Sequence, residues 1–482
     1  MEKLFFIPFL LLLSVLVFPS LFHGGVAGAA GTKDGSEQWG YVRVRPKAHM
    51  FWWFYRSPYR AEYPSKPWPI ILWLQGGPGA SGVGIGNFQE IGPLDTDLKP
   101  RNSTWLQVAD LLFVDNPVGT GYSFVEDEKV MVKTDEEAAT DLTTLLKKLF
   151  NRNLGLRGRP LYIVAESYGG KYAVTLALSA LKAIEAGELK LKLGGVALGD
   201  SWISPEDFVI SWAPLLKDLS RIDDNGVKKA NSLVQRIKQQ IASGLYENAT
   251  DSWGELEDVI ITASNFVDFY NFMLDSGSED ISTTTMESSK AAVVKKYSRY
   301  LNSKRFFAGG NGDIETLMNG AIKEKLKIIP TDVKWGEQSG SVFSALEGDF
   351  MKPRIAEVDE LLAKGVNVTI YNGQVSILKC FSRIQHLKYL LGWLDLICAT
   401  KGAEAWVQKL KWSGLKQFLS LDRTPLYCGK DHQTTKGFTR SYKNLHFYWI
   451  LGAGHFVPVD QPCVALKMVA DITHSPGAAL LP

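Results

Sequence analysis

The sequence predicts an α/β protein with a mostly parallel central sheet flanked by helices. Short apolar runs bounded by Gly and Pro alternate with longer segments of helical periodicity, and this alternation is typical of a parallel sheet covered by helices. The runs at residues 70–74 and 111–114 each lead into a tight loop containing Pro, as buried strands commonly do. The chain has 482 residues, which a single α/β enzyme with insertions can accommodate.

The individual elements can be assigned along the chain. An aromatic-rich segment, residues 39–55, begins the domain with strand-like sequence. Thr134 and Glu137 form a capping box ahead of apolar residues with helical spacing, which predicts a helix from this point. A predicted strand and a predicted helix then enclose Ser167. This strand covers residues 161–164 and this helix covers residues 172–185. Further strands are predicted at residues 193–198, 366–371 and 447–451.

The middle of the chain departs from this alternation. Residues 205–340 are polar, carry helical patterns, and include a Ser/Thr/Glu-rich stretch at 276–289. We interpret them as an inserted helical lid subdomain with a flexible loop. The α/β core is then built from two parts, residues 31–204 and residues 341–482.

The composition limits the kind of partner. The 53 Lys and Arg residues nearly balance the 51 Asp and Glu residues, so the formal net charge is only +2. No basic excess is available to hold a polyanion, and we expect no nucleic-acid partner. Charged residues make up 22% and hydrophobic residues 45% of the chain, as in an ordinary folded protein.

The first residues predict the compartment. One lysine precedes an apolar stretch at residues 4–22, and small residues follow at 27–29, so we expect a signal peptide over about residues 1–30. Two prolines interrupt the apolar stretch, and no later run reaches the roughly 20 apolar residues that a membrane span needs. We therefore expect no stable membrane anchor.

Three sequons support the same compartment. They begin at Asn102, Asn248 and Asn367, and such sequons are acceptors for glycosylation in the secretory pathway. The expected location is therefore secreted, or vacuolar or lysosomal.

The four cysteines all lie in the last quarter of the chain, so the fold is not a disulfide scaffold. Cys428 and Cys463 are one possible pair, although pairing cannot be deduced from sequence. No Cys/His spacing resembles a zinc site, so we expect no metal.

Ser167 is the strongest candidate for catalysis. It lies in Ala165-Glu166-Ser167-Tyr168-Gly169, between the predicted strand and the predicted helix. A nucleophile elbow needs small residues beside the serine because its turn is tight. Ala165 replaces the usual first Gly but still leaves room for that turn.

A serine nucleophile needs a base and an oxyanion hole. His455 follows a late apolar strand in Gly454-His455-Phe456, at the sheet edge where the elbow is expected. The glycines of Gly76-Gly77-Pro78-Gly79 can bring backbone amides close to a substrate, and Tyr168 can supply a second amide.

Four motifs in this order resemble the serine carboxypeptidases, a family with the α/β-hydrolase fold. The motifs are residues 73–79, 115–123, 166–172 and 454–458. The resemblance extends from about Trp39 to the C-terminus. It implies an enzyme that releases C-terminal residues from peptides or proteins through an acyl-enzyme, without a cofactor.

By this resemblance Ser167 is the nucleophile, His455 is the base, and the amides of Gly77 and Tyr168 form the oxyanion hole. In the family an Asn and two glutamates bind the free carboxylate of the substrate. The matching positions are Gln75, which departs from the usual Asn, with Glu90 and Glu166. Two neighbouring acids cannot both be ionised cheaply, so one should keep its proton, which predicts best binding at mildly acidic pH.

The third member of the triad is ambiguous. The family motif resembles Asn-Gly-Gln-Leu-Asp-Leu-Ile-Cys, but here Asn372-Gly373-Gln374 is separated from Asp395 by an insert at residues 375–393. If the insert loops out, Asp395 is the triad acid; counted from Asn372, Ser376 takes its place. A longer loop costs only about 0.6 kcal/mol per doubling of its length. Loss of the acid would lower turnover roughly ten-thousandfold.

Three functions remain open at this point. The leading one is a serine carboxypeptidase. The first alternative is an acyltransferase, because an alcohol can capture the same acyl-enzyme and plant relatives in this family do so. The second alternative is a catalytically impaired isoform that still binds peptide ends. The sequence also leaves homodimerisation and the preferred side chain open.

Overall fold

The computed structural model describes residues 26–60, 66–275, 312–374, 395–429 and 434–481. Its strands are β1 (Val26–Gly31), β2 (Glu37–Arg45), β3 (Ala48–Tyr55), β4 (Ile70–Leu74), β5 (Asp110–Val114), β6 (Phe124–Val125), β7 (Pro160–Glu166), β8 (Lys192–Gly199), β9 (Val368–Gln374), β10 (Thr424–Leu426), β11 (Gly437–Tyr442) and β12 (Leu445–Leu451).

These strands form one sheet with a parallel centre. The order is β1-β2-β3-β5-β4-β7-β8-β9-β12-β11-β10, and β6 pairs with β3. Every neighbouring pair from β5 to β12 is parallel, whereas the strands at both edges pair antiparallel. The predicted α/β class and parallel central sheet are confirmed.

Helices connect the strands and cover the sheet. The α-helices of the described ranges are α1 (Asp135–Phe150), α2 (Leu154–Arg157), α3 (Gly169–Glu185), α4 (Pro205–Asp218), α5 (Asp224–Ala242), α6 (Tyr246–Ala263), α7 (Ile314–Leu317), α8 (Lys323–Leu326), α9 (Gly340–Ala345), α10 (Glu347–Phe350), α11 (Ile355–Ala363), α12 (Thr400–Val407), α13 (Leu415–Ser420), α14 (Val457–Asp460) and α15 (Pro462–Ile472). The π-helical segments are Gly82–Ile91 and Met318–Ile322, and the 3₁₀ segments are Trp105–Gln107, Glu128–Val130 and Pro476–Leu480.

The sheet buries both faces. Successive side chains of a strand point to opposite faces, so Leu72 packs with helices α1 and α3 while its neighbour Trp73 packs into an aromatic layer on the other side. Both side chains are almost fully buried. Strands buried on both faces read as continuous apolar runs, which explains the sequence of β4.

The capping of α1 is visible in detail. The backbone N–H of Glu137 donates to Oγ1 of Thr134 at 3.2 Å, as the capping box predicts. The carboxylate of Glu137, however, accepts from the backbone N–H of Lys133 at 2.7 Å. The helix thus begins where predicted, with its second cap bond shifted by one residue.

Several expectations fall wholly or partly outside the described residues. The stretch 276–289 and the insert 375–393 lie outside them, as do residues 1–25 of the expected signal peptide. Residues 26–31 form the edge strand β1, so the end of the signal peptide at about residue 30 stays a prediction. In the residues that were searched, no helix is both long enough and apolar enough to cross a membrane.

Candidate active site

The candidate residues collect at one edge of the sheet. Strand β4 ends before Gln75, β7 ends at Glu166, and β12 leads within four residues to His455. These three strands belong to the parallel centre, so their carboxyl ends meet at the same edge. In open α/β sheets this edge is where ligands bind.

Ser167 occupies a strained turn between β7 and α3. Its φ of +60° lies in the left-handed region, which residues other than Gly rarely adopt. The turn is fixed by two backbone hydrogen bonds at 3.0 Å, from Ser167 N–H to Gly199 O and from Trp202 N–H to Ser167 O. At Gly169 a Cβ would lie 2.3 Å from Leu74 O, so only glycine fits there. This is the geometry of a nucleophile elbow.

The glycine loop after β4 lies against this elbow. A Cβ on Gly76 would be 2.6 Å from Cβ of Ser167 and 2.8 Å from the backbone nitrogen of Tyr168. Gly77 has a φ of +105°, which a side chain would disfavour. The loop and the amide of Tyr168 therefore converge beside Ser167, as an oxyanion hole requires.

A segment just before α9 clamps the same loop. The backbone N–H of Ser81 donates to Glu337 O at 3.1 Å, and the N–H of Ser339 donates to Gly79 O at 2.9 Å. Between them, Ala80 and Gln338 form an isolated antiparallel bridge. The shape of the glycine loop thus depends on the segment that sequence analysis assigned to the end of the lid.

His455 and Asp395 form a buried pair. Nδ1 of His455 lies 2.9 Å from Oδ2 of Asp395, and the two side chains are fully buried. A carboxylate can only accept, so Nδ1 of His455 donates this hydrogen bond. Nε2 is buried and makes no hydrogen bond within the described part of the chain, so the structure does not join it to Ser167. Such catalytic contacts often tighten only when substrate binds.

Backbone contacts hold Asp395 in this position. The N–H groups of Leu396 and Ile397 both donate to Phe269 O, at 2.9 and 3.0 Å. The N–H of Cys398 donates to Oδ1 of Asp395 at 3.1 Å. Of the two sequence alternatives, the structure brings Asp395 to His455, whereas Ser376 lies outside the described residues.

The same place satisfies the spacing of a metal site. Ligand atoms of Asp395, Cys398 and His455 lie within 4.8 Å of one another, the one such group found in the residues searched. The hydrogen bond between Asp395 and His455 already uses Nδ1 and a carboxylate oxygen. We therefore interpret the group as an acid–base pair with a neighbouring thiol.

The three expected carboxylate-binding residues also contact one another. Trp73 Nε1 donates to Oε1 of Gln75 at 2.7 Å, and Gln75 Nε2 donates to Oε1 of Glu166 at 2.9 Å. Glu90, from the π-helical segment 82–91, has its carboxyl group within hydrogen-bonding reach of Glu166 and Gln75. The two glutamates and Gln75 are almost fully buried.

Burial makes both acids hold protons. It raises the pKa of Glu90 from 4.5 to about 7, even though hydrogen bonds from Glu166 and Gln75 favour the charged form. Burial, and then the charge of Glu90, raises the pKa of Glu166 well above its ordinary value. When Glu90 ionises near its pKa, Glu166 therefore keeps its proton and can donate it to Glu90.

A buried charge network behind Tyr168 was not found from sequence. Tyr168 Oη donates to Oδ1 of Asp135 at 2.8 Å. Oδ2 of Asp135 accepts a hydrogen bond from Nε of Arg354 at 3.0 Å and lies 3.4 Å from Nζ of Lys171. Arg354 reaches Asp349 at 2.6 Å. These groups are remote in sequence, and a polar residue on a helix face is usually solvated, so no local signal reveals the network.

Asp200 was also missed. It directly follows β8 and is fully buried beside Asp395, within hydrogen-bonding reach of that carboxylate. Its Oδ1 accepts from Asn372 Nδ2 at 3.1 Å and from the N–H of Gly373 at 3.0 Å. An acid at the carboxyl end of a predicted strand was the available signal, since the other site residues occupy equivalent places.

The remaining predicted sites differ in exposure. Asn102 and Asn248 are exposed, whereas Asn367 is half-buried and its Nδ2 donates to Gly194 O at 3.4 Å. Cys428 and Cys463 are joined by a disulfide bond.

The strained serine turn and the buried His–Asp pair, placed at the carboxyl edge of this sheet, define an α/β-hydrolase. A solved prohormone-processing carboxypeptidase from Saccharomyces cerevisiae has the same fold, with a TM-score of 0.71 over 91% of each chain at 21% identity. The model of the serine carboxypeptidase family matches residues 28–390 and 384–475. These two ranges overlap at residues 384–390, inside the segment 375–393.

Close relatives carry the family assignment. The chain is 64% identical to serine carboxypeptidase-like 51 of Arabidopsis thaliana, over 92% of this chain and 93% of the relative. It is 45% identical to the retinoid-inducible serine carboxypeptidase of Mus musculus, over 96% of both chains. The chain belongs to the serine carboxypeptidase family, which confirms the resemblance and the predicted enzyme class.

Proposed function

We propose that this chain is a serine carboxypeptidase that releases C-terminal residues at mildly acidic pH through an acyl-enzyme. The observation that carries this proposal is the convergence of Ser167, the His455–Asp395 pair and the protonated Glu90–Glu166 pair at one edge of the sheet. The acids would bind the chain end while the serine attacks the adjacent peptide bond.

Each group has a defined role in this reaction. Ser167 Oγ attacks the carbonyl carbon while Nε2 of His455 takes the hydroxyl proton. Asp395 keeps Nδ1 protonated and stabilises the imidazolium that results. The amides of Gly77 and Tyr168 stabilise the oxyanion. His455 then gives its proton to the leaving amine, and water releases the acyl group by the reverse steps.

The carboxylate-binding residues set the requirement for a chain end. A substrate carboxylate carries a negative charge and therefore needs donors in a buried site. Glu166 and Glu90 can donate only while protonated, and the amide of Gln75 lies beside them, donating to Glu166. This arrangement favours a peptide C-terminus over an uncharged ester, so we prefer hydrolysis of peptides to acyl transfer.

We also propose that the protein works in the secretory pathway, either secreted or in an acidic vacuole or lysosome. The exposed sequons at Asn102 and Asn248 and the expected signal peptide support this location. The low pH of such compartments keeps Glu90 protonated.

The test is hydrolysis of an N-blocked dipeptide at pH 5 by the glycosylated chain, with Ser167→Ala as control. We expect release of the free C-terminal amino acid by the unchanged chain alone, and much slower release from the dipeptide amide. Labelling of Ser167 by an organophosphonate reports the acyl chemistry separately. Labelling without peptide hydrolysis, combined with ester formation from an alcohol and an acyl donor, would favour the acyltransferase. Neither labelling nor hydrolysis, with peptide binding retained, would favour the impaired isoform.

A further inference from the structure

We propose that Asp200 is a positioning residue that acts as a neutral carboxylic acid. Its hydroxyl donates a hydrogen bond to Asp395 and so holds the triad acid against His455. This inference rests on the proposed function, since it assigns a new member to the same catalytic site.

The two oxygens of Asp200 have different surroundings. Oδ1 accepts two hydrogen bonds, from Asn372 Nδ2 at 3.1 Å and from Gly373 N–H at 3.0 Å. Oδ2 is buried and receives no hydrogen bond from any residue that the structure describes. This is the pattern of a protonated acid, in which the carbonyl oxygen accepts and the hydroxyl oxygen donates.

Asp395 supplies the acceptor for that hydroxyl. Its Oδ1 accepts from Cys398 N–H, its Oδ2 accepts from His455 Nδ1, and its side chain lies within hydrogen-bonding reach of Asp200. Two carboxylates in buried contact cannot both be charged cheaply. Asp395 must be charged to stabilise the imidazolium of His455, so the proton belongs on Asp200.

The electrostatic surroundings favour the same assignment. Burial, and then the charge of Asp395, raises the pKa of Asp200 well above its ordinary value. Other ionisable groups that feel the charge of Asp200 are the Glu166 carboxyl, the Tyr371 phenol and the Cys398 thiol. Each of them is an acid whose own pKa is raised, so none supplies a positive charge that would favour an ionised Asp200.

Backbone contacts fix the position of Asp200, so its side chain can orient Asp395. Asp395 lies outside the strands and helices, in the irregular stretch 395–399. Asp200, in contrast, directly follows β8, and its backbone N–H donates to Tyr371 O at 2.9 Å. A donor anchored in the sheet thereby fixes an acid that comes from a loop.

Asn and Ala substitutions separate the neutral donor from a charged group. Asn at position 200 can accept through Oδ1 and donate through Nδ2, as the neutral acid does, whereas Ala can do neither. At pH 5 we expect Asp200→Asn to keep kcat within about threefold, and Asp200→Ala to lower kcat by about tenfold to a hundredfold with little change in KM. Equal impairment of both variants would overturn the proposal, because it would show that a negative charge is needed.

The pH dependence of stability gives a readout that needs no activity. A raised pKa in the folded state means that the folded chain binds more protons, so its stability falls as the pH rises above the ordinary value of 3.8. Asn has no proton to lose. We expect the Tm of Asp200→Asn, relative to the unchanged chain, to rise by about 2 °C or more between pH 4 and pH 8.

Asp34, an exposed carboxyl far from this site in the sequence, provides a matched control. Asp34→Asn changes an exposed carboxyl whose pKa is about 2, so its relative Tm should stay constant over this pH range. A constant relative Tm for Asp200→Asn as well would show that Asp200 is ionised and would overturn the proposal. If the unchanged chain hydrolyses no peptide, the proposed function fails, while the Tm comparison still decides the protonation of Asp200.

Discussion

We expect the Glu90→Gln variant to bind peptide substrates about equally well at pH 5 and pH 8, whereas the unchanged chain binds them poorly at pH 8. Glu90 is buried beside Glu166, and its pKa is about 7. Above that pH its carboxylate would face the carboxylate of the substrate. Gln has a similar shape, donates through its amide, and cannot ionise.

The magnitude follows from the pKa. A rise from 4.5 to about 7 corresponds to about 3 kcal/mol in favour of the protonated form. If only the protonated form binds a chain end, KM should rise about tenfold per pH unit above pH 7. The folded state holds this proton more tightly than the unfolded state, so stability should also fall as the pH rises from 4.5 through 7. Glu90→Gln should lose both effects.

The assay measures KM for an N-blocked dipeptide from pH 4.5 to pH 8. Glu360→Gln is the matched control, because Glu360 is exposed on α11 and its loss should leave the profile unchanged. The reasoning is refuted if KM of Glu90→Gln climbs above pH 7 as steeply as that of the unchanged chain. A KM of the unchanged chain that is flat to pH 8 would refute it equally.

Three further substitutions or deletions test the rest of the site. Arg354→Met should lower the free energy of unfolding by about 3–5 kcal/mol in urea titrations, because it removes the guanidinium that pairs with two buried carboxylates; a loss below about 1 kcal/mol would contradict this. Gly76→Ala should lower kcat about a hundredfold in steady-state assays, since its Cβ would displace Ser167; unchanged kcat would exclude the close approach. A chain lacking residues 375–393 should keep kcat within about threefold, because Asp395 already reaches His455; activity found only after deletion would show that the insert displaces the acid.

The sequence predicted the parts of the fold that local pattern determines. The run at residues 70–74 corresponds to β4 without any shift, because both faces of that strand are apolar and its ends are marked by Pro and Gly. The strand expected at 366–371 instead spans Val368–Gln374, because the backbone N–H of Val368 begins its pairing with Asn444 O. The edge strands β1, β10 and β11 were missed, since their pairing depends on partners rather than on their own pattern.

The position of the triad acid shows where sequence reasoning reaches its limit. Loop length costs little free energy, so spacing alone left both Ser376 and Asp395 open. The contacts that hold Asp395 near His455 are made with the backbone carbonyl of Phe269. This residue belongs to none of the sequence motifs and lies more than a hundred residues before Asp395 in the chain. Tertiary contacts of this kind carry no local signature.

The protonation states of the acids are the property of the site that the sequence predicts least directly. Nothing in the sequence shows how the protonation of four acids differs. The structure buries all four near one edge of the sheet: Glu90, Glu166, Asp200 and Asp395. Burial favours the neutral form, and the groups differ in the donors that offset it. Asp395 and Asp200 are neighbours, but it is Asp395 that accepts from the His455 ring, whereas the charges of neighbouring acids raise the pKa of Glu166 and of Asp200. The hydrogen-bond partners therefore favour one negative charge beside His455 and protons on its neighbours, and under the proposed function this distribution predicts that catalysis and chain-end binding are best at acidic pH.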